Sequence, residues 1–400
     1  MQTTLTPKIR QSRHAPAIES ILRKCVHCGF CNATCPTYQL RGDELDGPRG
    51  RIYQMKQYFE GAAANVEMLK HLDRCLTCRA CETTCPSGVQ YSHLLEIGKE
   101  MIEVDLPRSR FDRLRRAAIV RFINSGWMFS AAIRIGQSLA WMMPAGLRSS
   151  IPTRQVVLTR HQVKHSRKVL MLAGCVQPTL APNTNIGASN LLGKLGLEVI
   201  ELEQNLCCGA AAMHTSEPEY ALRQVKQLID QWWPHIEAGV EAIVVTATGC
   251  GVSVRDYARL LADDPDYAEK GKMVTSLYRD LIEVVEAHSD AIEVPDATAR
   301  RVAVHTPCTM QHGLGLNHRV ERLLAGVGYQ ICRIEDAHLC CGSAGTYSML
   351  QPAISNQLKQ NKIDALTVDQ PDVIATANIG CQLQLAQGNR TPVVHWIELI

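Results

Sequence analysis

The hydrophobic pattern divides the chain into stretches of two kinds. Up to about residue 105, apolar positions recur at helical spacing. Ala15–Arg23, Pro48–Tyr58 and Tyr91–Val104 read as helices, the second opened by a proline just after the Gly42-Asp-Glu-Leu-Asp-Gly47 turn. From residue 169 onward, short apolar runs alternate with longer amphipathic ones. Val169–Leu172, Val199–Leu202 and Ile243–Thr246 read as buried parallel strands, and Ile186–Leu195 and Glu219–Ile236 as the helices between them. This alternation predicts α/β units, whose sites gather at the carboxyl ends of strands. Between the two kinds, Leu114–Ile123 and Trp127–Met143 read as helices with apolar stripes. The longest apolar run, Trp127 to Leu147, is broken by Arg134, Gln137 and Pro144, so no membrane-spanning helix is expected.

The α/β region is internally duplicated. Cys175, Cys207-Cys208-Gly209 and Cys250 recur as Cys308, Cys340-Cys341-Gly342 and Cys381, and Lys168-Val-Leu-Met-Leu172 aligns with Arg301-Val-Ala-Val-His305. The expected fold is therefore α+β and multidomain: a helical domain over 1–105, a helical linker over 106–168, and two α/β units over 169–295 and 296–400.

Composition adds two facts. The 400 residues carry a net charge of +3, but residues 106–168 alone carry +12, leaving −9 for the rest. Arg-rich flanks with Trp127 and Trp141 suit an anionic membrane surface; a basic linker packed on the repeats is the equal alternative. No nucleic-acid motif accompanies the arginines. The chain also holds 17 cysteines. It is too long to need a disulfide scaffold, and its first residues contain no apolar signal core, so thiolates held by metal in a reducing compartment are expected.

Sixteen of those cysteines fall into two patterns. Cys25, Cys28, Cys31 and Cys35-Pro36 form C-x2-C-x2-C-x3-C-P, and Cys75, Cys78, Cys81 and Cys85-Pro86 repeat it fifty residues later. Three closely spaced thiolates followed by Cys-Pro is the pattern of two-cluster ferredoxins, in which the fourth cysteine crosses to the other cluster. That pattern assigns Cys25, Cys28, Cys31 and Cys85 to one [4Fe–4S] cluster, and Cys75, Cys78, Cys81 and Cys35 to a second. Zinc frameworks normally pair two separated knuckles and do not match. Arg79 lies inside the second loop, where its charge would raise the cluster potential unless water solvates it.

In the repeats, Cys175, Cys207, Cys208 and Cys250 form one candidate cofactor site, and Cys308, Cys340, Cys341 and Cys381 the other. Gly209 and Gly342 permit the sharp turn that lets adjacent cysteines face one centre. Further Fe–S clusters, zinc and buried free thiols all remain open there. Cys332 aligns with Ile200 on a strand and reads as a core residue. His214, His305, His312, His338 and His395 cluster nearby and are read first as structural. No flavin, nicotinamide, nucleotide, HExxH or GxSxG motif is present, so no catalytic residue is assigned.

With these motifs in place, the chain resembles the iron–sulfur subunits of bacterial glycolate oxidases. The specific stretches are Cys25-Val-His-Cys-Gly-Phe-Cys31, Gly42-Asp-Glu-Leu-Asp-Gly-Pro-Arg-Gly-Arg-Ile52, His71-Leu-Asp-Arg-Cys-Leu-Thr-Cys78, Leu339-Cys-Cys-Gly-Ser-Ala-Gly-Thr-Tyr347 and Thr376-Ala-Asn-Ile-Gly-Cys-Gln382. The resemblance implies flavoprotein partners in a hetero-oligomer, no flavin in this chain, and electron delivery to the quinone pool from the inner, cytoplasmic face of the membrane. It also implies kinship with heterodisulfide reductase subunits and with the iron–sulfur proteins of lactate and glycerol-3-phosphate oxidation. The fullest form of that wider family's motif ends in Cys-x-x-Cys, whereas here Cys250-Gly-Val-Ser253 and Cys381-Gln-Leu-Gln384 lack the closing cysteine. Disulfide chemistry at the Cys-Cys-Gly sites, and a binding-only module, are the competing functions.

Overall fold

The computed structural model describes residues 1–144, 151–202, 204, 206–288, 292 and 300–400. Four helices, Ala15–Lys24, Pro48–Phe59, Val66–Asp73 and Tyr91–Asp105, close the first core around Ile18, Leu22, Met55, Phe59, Leu72 and Leu94. Three of these match the periodicity within one or two residues. The fourth is started by Asn65, whose side chain accepts a hydrogen bond from Met68 N at 2.9 Å. Two short helices, Phe30–Ala33 and Ala80–Thr84, pack against each other, and the hydroxyls of Thr34 and Thr84 meet at 2.9 Å. Those threonines stand fifty residues apart, as the two cysteine motifs do, so the domain is folded about a local pseudo-twofold.

The duplicated region forms two four-stranded parallel sheets. The first contains β1 (Arg167–Leu172), β2 (Leu197–Glu201), β3 (Ala242–Val245) and β4 (Tyr278–Asp280), in the order β2-β1-β3-β4. The second contains β5 (Arg301–His305), β6 (Gln330–Ile331), β7 (Val373–Thr376) and β8 (Val393–His395), in the matching order β6-β5-β7-β8. Crossover helices such as Pro182–Lys194, Pro218–Glu237 and Pro352–Thr367 cover the sheets, each opened by proline. The strand expected over Val199–Leu202 lies two residues earlier at its start. Leu197 is buried, and it anchors β2 instead of the half-exposed Leu202. The edge strands β4 and β8 are three residues long and lack an apolar run, so their pattern carries no signal. The boundary expected between residues 295 and 296 lies outside the described residues.

Asp280 ends β4 and caps the helix Leu281–Glu286. Its Oδ1 accepts from Ile282 N at 3.1 Å, and Glu283 accepts from Asp280 N at 2.9 Å. Its other oxygen is buried without a partner, and burial pushes the carboxyl up to about 7. The folded state therefore holds this proton more tightly than the unfolded chain. The resulting stabilisation is present below about pH 4 and is lost as pH rises through 7. Asp280→Asn keeps an oxygen for the cap and removes the charge. We expect it to stabilise the protein by roughly 2–4 kcal/mol at pH 8 relative to its effect at pH 4. Denaturant melts at the two pH values check this; an identical pH dependence in both proteins contradicts it.

Two charges of the basic linker, Arg108 and Arg116, are turned inward, while Arg110, Arg113, Arg115, Arg121 and Arg134 stay exposed. The helix Arg110–Asn124 starts earlier than its stripe suggested because Ser109 caps it, accepting from Asp112 N at 3.2 Å. Arg108 and Arg116 converge on Asp73 at 2.7 and 3.1 Å, and burial of Val120 against Ala212 and Ala221 ties the helix to the first repeat. The second helix spans Trp127–Leu139, followed by a 3-10 turn over Ala140–Met142. It stops short of Met143, which is extended because it precedes Pro144. From residue 155 to 165 the chain has no regular structure and follows the helix Pro182–Lys194. Leu158 N donates to Asn183 and His161 N to Asn190, at 2.9 and 2.8 Å. The packed-linker reading fits this part. Arg148 lies outside the described residues. The outer face keeps Phe111, Trp127, Ile135, Trp141 and Met142 exposed, Trp127 at 77% and Trp141 at 76%. Among the described residues, no helix is long and apolar enough to cross a membrane.

Candidate iron–sulfur sites

The two N-terminal cysteine loops share one backbone path. His27 and Gly29 in the first loop have left-handed φ values of 60° and 88°; Thr77 and Arg79, at the same places in the second, have 51° and 61°. Holding non-glycine residues in that region costs energy, so the loop shape is imposed by its surroundings. The path turns the thiols inward. Cys25, Cys28 and Cys31 come together with Cys85 and line one cavity with Pro86 and Ile52. Burial pushes the Cys31 thiol up to about 11, reinforced by the neighbouring sulfurs of Cys25, Cys85 and Cys28. In the second group, burial raises the Cys81 thiol, as do Cys78, Cys75 and, farther off, Cys35. Thr77 N and the Tyr91 hydroxyl both donate to Cys75 Sγ, at 3.4 and 3.6 Å. Four convergent soft donors with N–H and O–H groups aimed at sulfur suit an iron–sulfur cluster, which would ionise thiols that burial otherwise keeps neutral.

Asp46 supports the second group and was not singled out by its chemistry. Its carboxylate, fully buried, receives Arg41 at 2.8 Å, Arg74 at 2.9 Å and His71 Nδ1 at 2.8 Å. Arg51, only 1% exposed, stands 3.7 Å away and donates to His71 O at 2.8 Å. The Asp46 carbonyl accepts from Thr37 at 2.8 Å, and Thr37 Oγ1 touches Cys35 Sγ at 3.3 Å. The network thus fixes the loop carrying Cys35. Asp43, Asp46 and His71 lie close enough to hold a metal ion, but arginines already occupy the Asp46 oxygens. The signal lay in the two charged stretches 42–52 and 71–78, which meet here.

Each Cys-Cys-Gly turn sits beyond its sheet. Gly209 and Gly342 are left-handed, with φ of 86° and 81°. A Cβ on Gly342 would stand 2.6 Å from Ser355 O, so glycine is required on both conformational and steric grounds. In the first repeat, Cys207 contacts Cys175 and Cys208, and Cys208 contacts Cys250. In the second, Cys308 Sγ lies 3.9 Å from Cys340 Sγ, Cys340 contacts Cys341, and Cys341 contacts Cys381. The glycine N–H donates to the first sulfur of each pair at 3.4 Å. Cys332 is buried in the apolar cluster that also holds Cys341 and Cys381, beside Leu366, Ile374 and Leu385.

The five histidines separate by environment. His395 Nε2 donates to Thr246 O at 2.9 Å and its Nδ1 accepts from Ile397 N at 3.2 Å, a satisfied structural role. His312 bridges Thr83 of the N-terminal domain, at 2.8 Å, and His338 O. His214 is exposed and His338 half-buried. His305 is buried with both ring nitrogens unpartnered.

The N-terminal and repeat sites adjoin. Cys78 packs with Cys308 and Cys340 in one apolar cluster with Leu76, Tyr347 and Leu358. Desolvation raises the Cys78 thiol, and Cys308 and Cys35 raise it further. Tyr347 donates to Arg74 O at 2.9 Å across the same boundary. On the first-repeat side, Arg79 pairs with Asp256 at 2.6 Å, so its charge is spent on docking. At the other end, Cys28 is exposed, flanked by exposed Val26 and Phe30.

Comparison with known proteins finds a domain family for each cysteine-rich region. A 4Fe-4S dicluster domain covers residues 21–89, and a cysteine-rich domain matches twice, over 169–255 and 302–386. The glycolate oxidase iron-sulfur subunit of Escherichia coli (strain K12) is 46% identical over all of this chain and 98% of its own length. The chain belongs to the family of glycolate oxidase iron–sulfur subunits. A probable member from Bacillus subtilis (strain 168) is 29% identical over 92% of this chain and 89% of its own. Lactate utilization protein A of that organism is 26% identical but covers 58% of this chain. Family membership makes the chain an iron–sulfur protein and one subunit of a larger assembly.

Proposed function

We propose that this chain relays electrons from a flavoprotein partner, which oxidises glycolate to glyoxylate, toward the membrane quinone pool. The observation that carries the reading is the adjoining cysteine sites: exposed Cys28 lines a cavity that Cys81 also lines, and half-buried Cys78 packs with Cys308 and Cys340. Cys25, Cys28, Cys31 and Cys85 would hold one [4Fe–4S] cluster, and Cys75, Cys78, Cys81 and Cys35 the second, supplying one-electron chemistry that divides a flavin's electron pair. The chain's own residues set the conditions. Tyr91 and the loop N–H groups bond sulfur, and the buried Asp46 network fixes Cys35. The surface around Cys28, Val26 and Phe30 suits a docking partner.

The isolated chain is expected to show no glycolate oxidation with a dye acceptor, and the flavoprotein partner to restore it. Turnover by this polypeptide alone overturns the reading.

The exposed helix face supports peripheral contact with the inner face of the membrane. Trp127→Glu, Ile135→Glu and Trp141→Glu together should reduce flotation with anionic vesicles at least ~10-fold. Equal flotation would assign the face to a protein partner.

A further inference from the structure

The two Cys-Cys-Gly sites share a sulfur pattern but differ at one further donor. Leu172 closes β1 and His305 closes β5; both are last residues of equivalent central strands, in equivalent register. In the second repeat, the ligand atoms of His305, Cys341 and Cys381 all lie within 4.8 Å of one another, and all three residues are buried. Leucine offers no such donor in the first repeat.

The imidazole is also unexplained by the fold. His305 is 2% exposed, yet neither nitrogen has a hydrogen-bond partner. Buried polar groups are nearly always paired, and the other fully buried histidine of the repeats, His395, is paired through both nitrogens. A donor that is buried, unpaired and aimed at two thiols is placed as a ligand. As in the first repeat, the motif here lacks its closing cysteine, with Gln384 in its place, but only the second repeat sets a histidine beside the remaining thiols.

We propose that the second Cys-Cys-Gly site is a mixed thiolate–imidazole metal centre, in which His305 is a direct ligand beside Cys341 and Cys381. Cys308 or Cys340, 3.9 Å apart, completes the set. Imidazole and thiolate together suit iron and zinc alike, so the shared chemistry is a first-row metal with nitrogen and sulfur ligands. The first repeat, with Leu172, would be an all-sulfur site. This inference rests on the reading that the repeats hold metal.

The test uses the full chain purified anaerobically, with iron, zinc and sulfide counted per chain. Four proteins are compared: the parent, His305→Gln, His305→Cys and Cys381→Ala. Cys381→Ala is expected to lose one centre's metal. His305→Gln should lose most of the same metal while keeping the N-terminal clusters' spectroscopic signal, and His305→Cys should retain it. X-ray absorption at the edge of the metal lost should show a nitrogen ligand in the parent and only sulfur in His305→Cys. Iron with sulfide identifies a cluster and zinc a single ion; either satisfies the proposal if it depends on His305. If Cys381→Ala loses no metal, the repeat holds none and the underlying reading fails. If Cys381→Ala loses metal but His305→Gln does not, the histidine proposal alone fails.

Discussion

Replacing Cys78 with alanine is expected to remove about four irons per chain and to abolish electron delivery beyond the N-terminal domain. The replacement deletes one thiolate from a converging set of four. It also removes a side chain that packs against the second repeat, since Cys78 shares an apolar cluster with Cys308 and Cys340. The same iron should disappear in Cys35→Ala, although Cys35 belongs to the other sequence motif, because Cys35 lies close enough to raise the Cys78 and Cys81 thiols. Cys85→Ala should instead remove the iron lost in Cys25→Ala. Iron analysis and low-temperature EPR of the four variants read out this crossed pairing. If Cys35→Ala and Cys25→Ala lose the same signal, each motif serves its own cluster and the assignment is wrong.

Asp46→Ala should destabilise the fold by about 3–5 kcal/mol, the range for breaking a buried ion pair by removing one partner. The loss strands Arg51, which is buried, and releases Arg41, Arg74 and His71 from the carboxylate at 2.8–2.9 Å. Because the Asp46 carbonyl holds Thr37 and Thr37 touches Cys35, disordering this turn should also speed loss of the second cluster's iron. Asp46→Asn retains a neutral acceptor and should fall between the two. Denaturant midpoints and the rate of iron release to a chelator measure both effects. A change below about 1 kcal/mol would mean the arginines find other partners.

The cysteine framework was legible because its chemistry is local. Three thiols within seven residues cannot avoid one another, and a left-handed loop at His27 and Gly29 repeats at Thr77 and Arg79. The duplicated sheets were legible through the buried runs of β1 and β3. The edge strands β4 and β8 were not, because three residues with a polar centre or end carry no period. The supporting chemistry was harder to see. Asp46 acquires its meaning only when the helix Val66–Asp73 brings His71 and Arg74 to it. Arg79 invited an electrostatic reading, yet Asp256, 177 residues away, pairs with it. His305 looked like any of five histidines until the sheet set it beside two cysteines.

The repeats have diverged around a common frame. Where the first repeat has Leu172, the second has His305, and buried Lys362 in the second donates to Asp336 O at 2.8 Å and stands near Cys341 and Cys340. Such asymmetry suits a pair of sites with different tasks, the second of which packs against Cys78.

The most direct test of the relay follows electrons through the assembled complex. Glycolate is added anaerobically to the parent complex and to one carrying Cys78→Ala, and flavin absorbance, cluster EPR and quinone reduction are recorded together. The account predicts that the flavin is reduced in both, that cluster signals on this chain appear in the parent, and that quinone reduction falls to background in Cys78→Ala. Quinone reduction at the parent rate in that variant would show that electrons reach the membrane without passing through this chain's second cluster site.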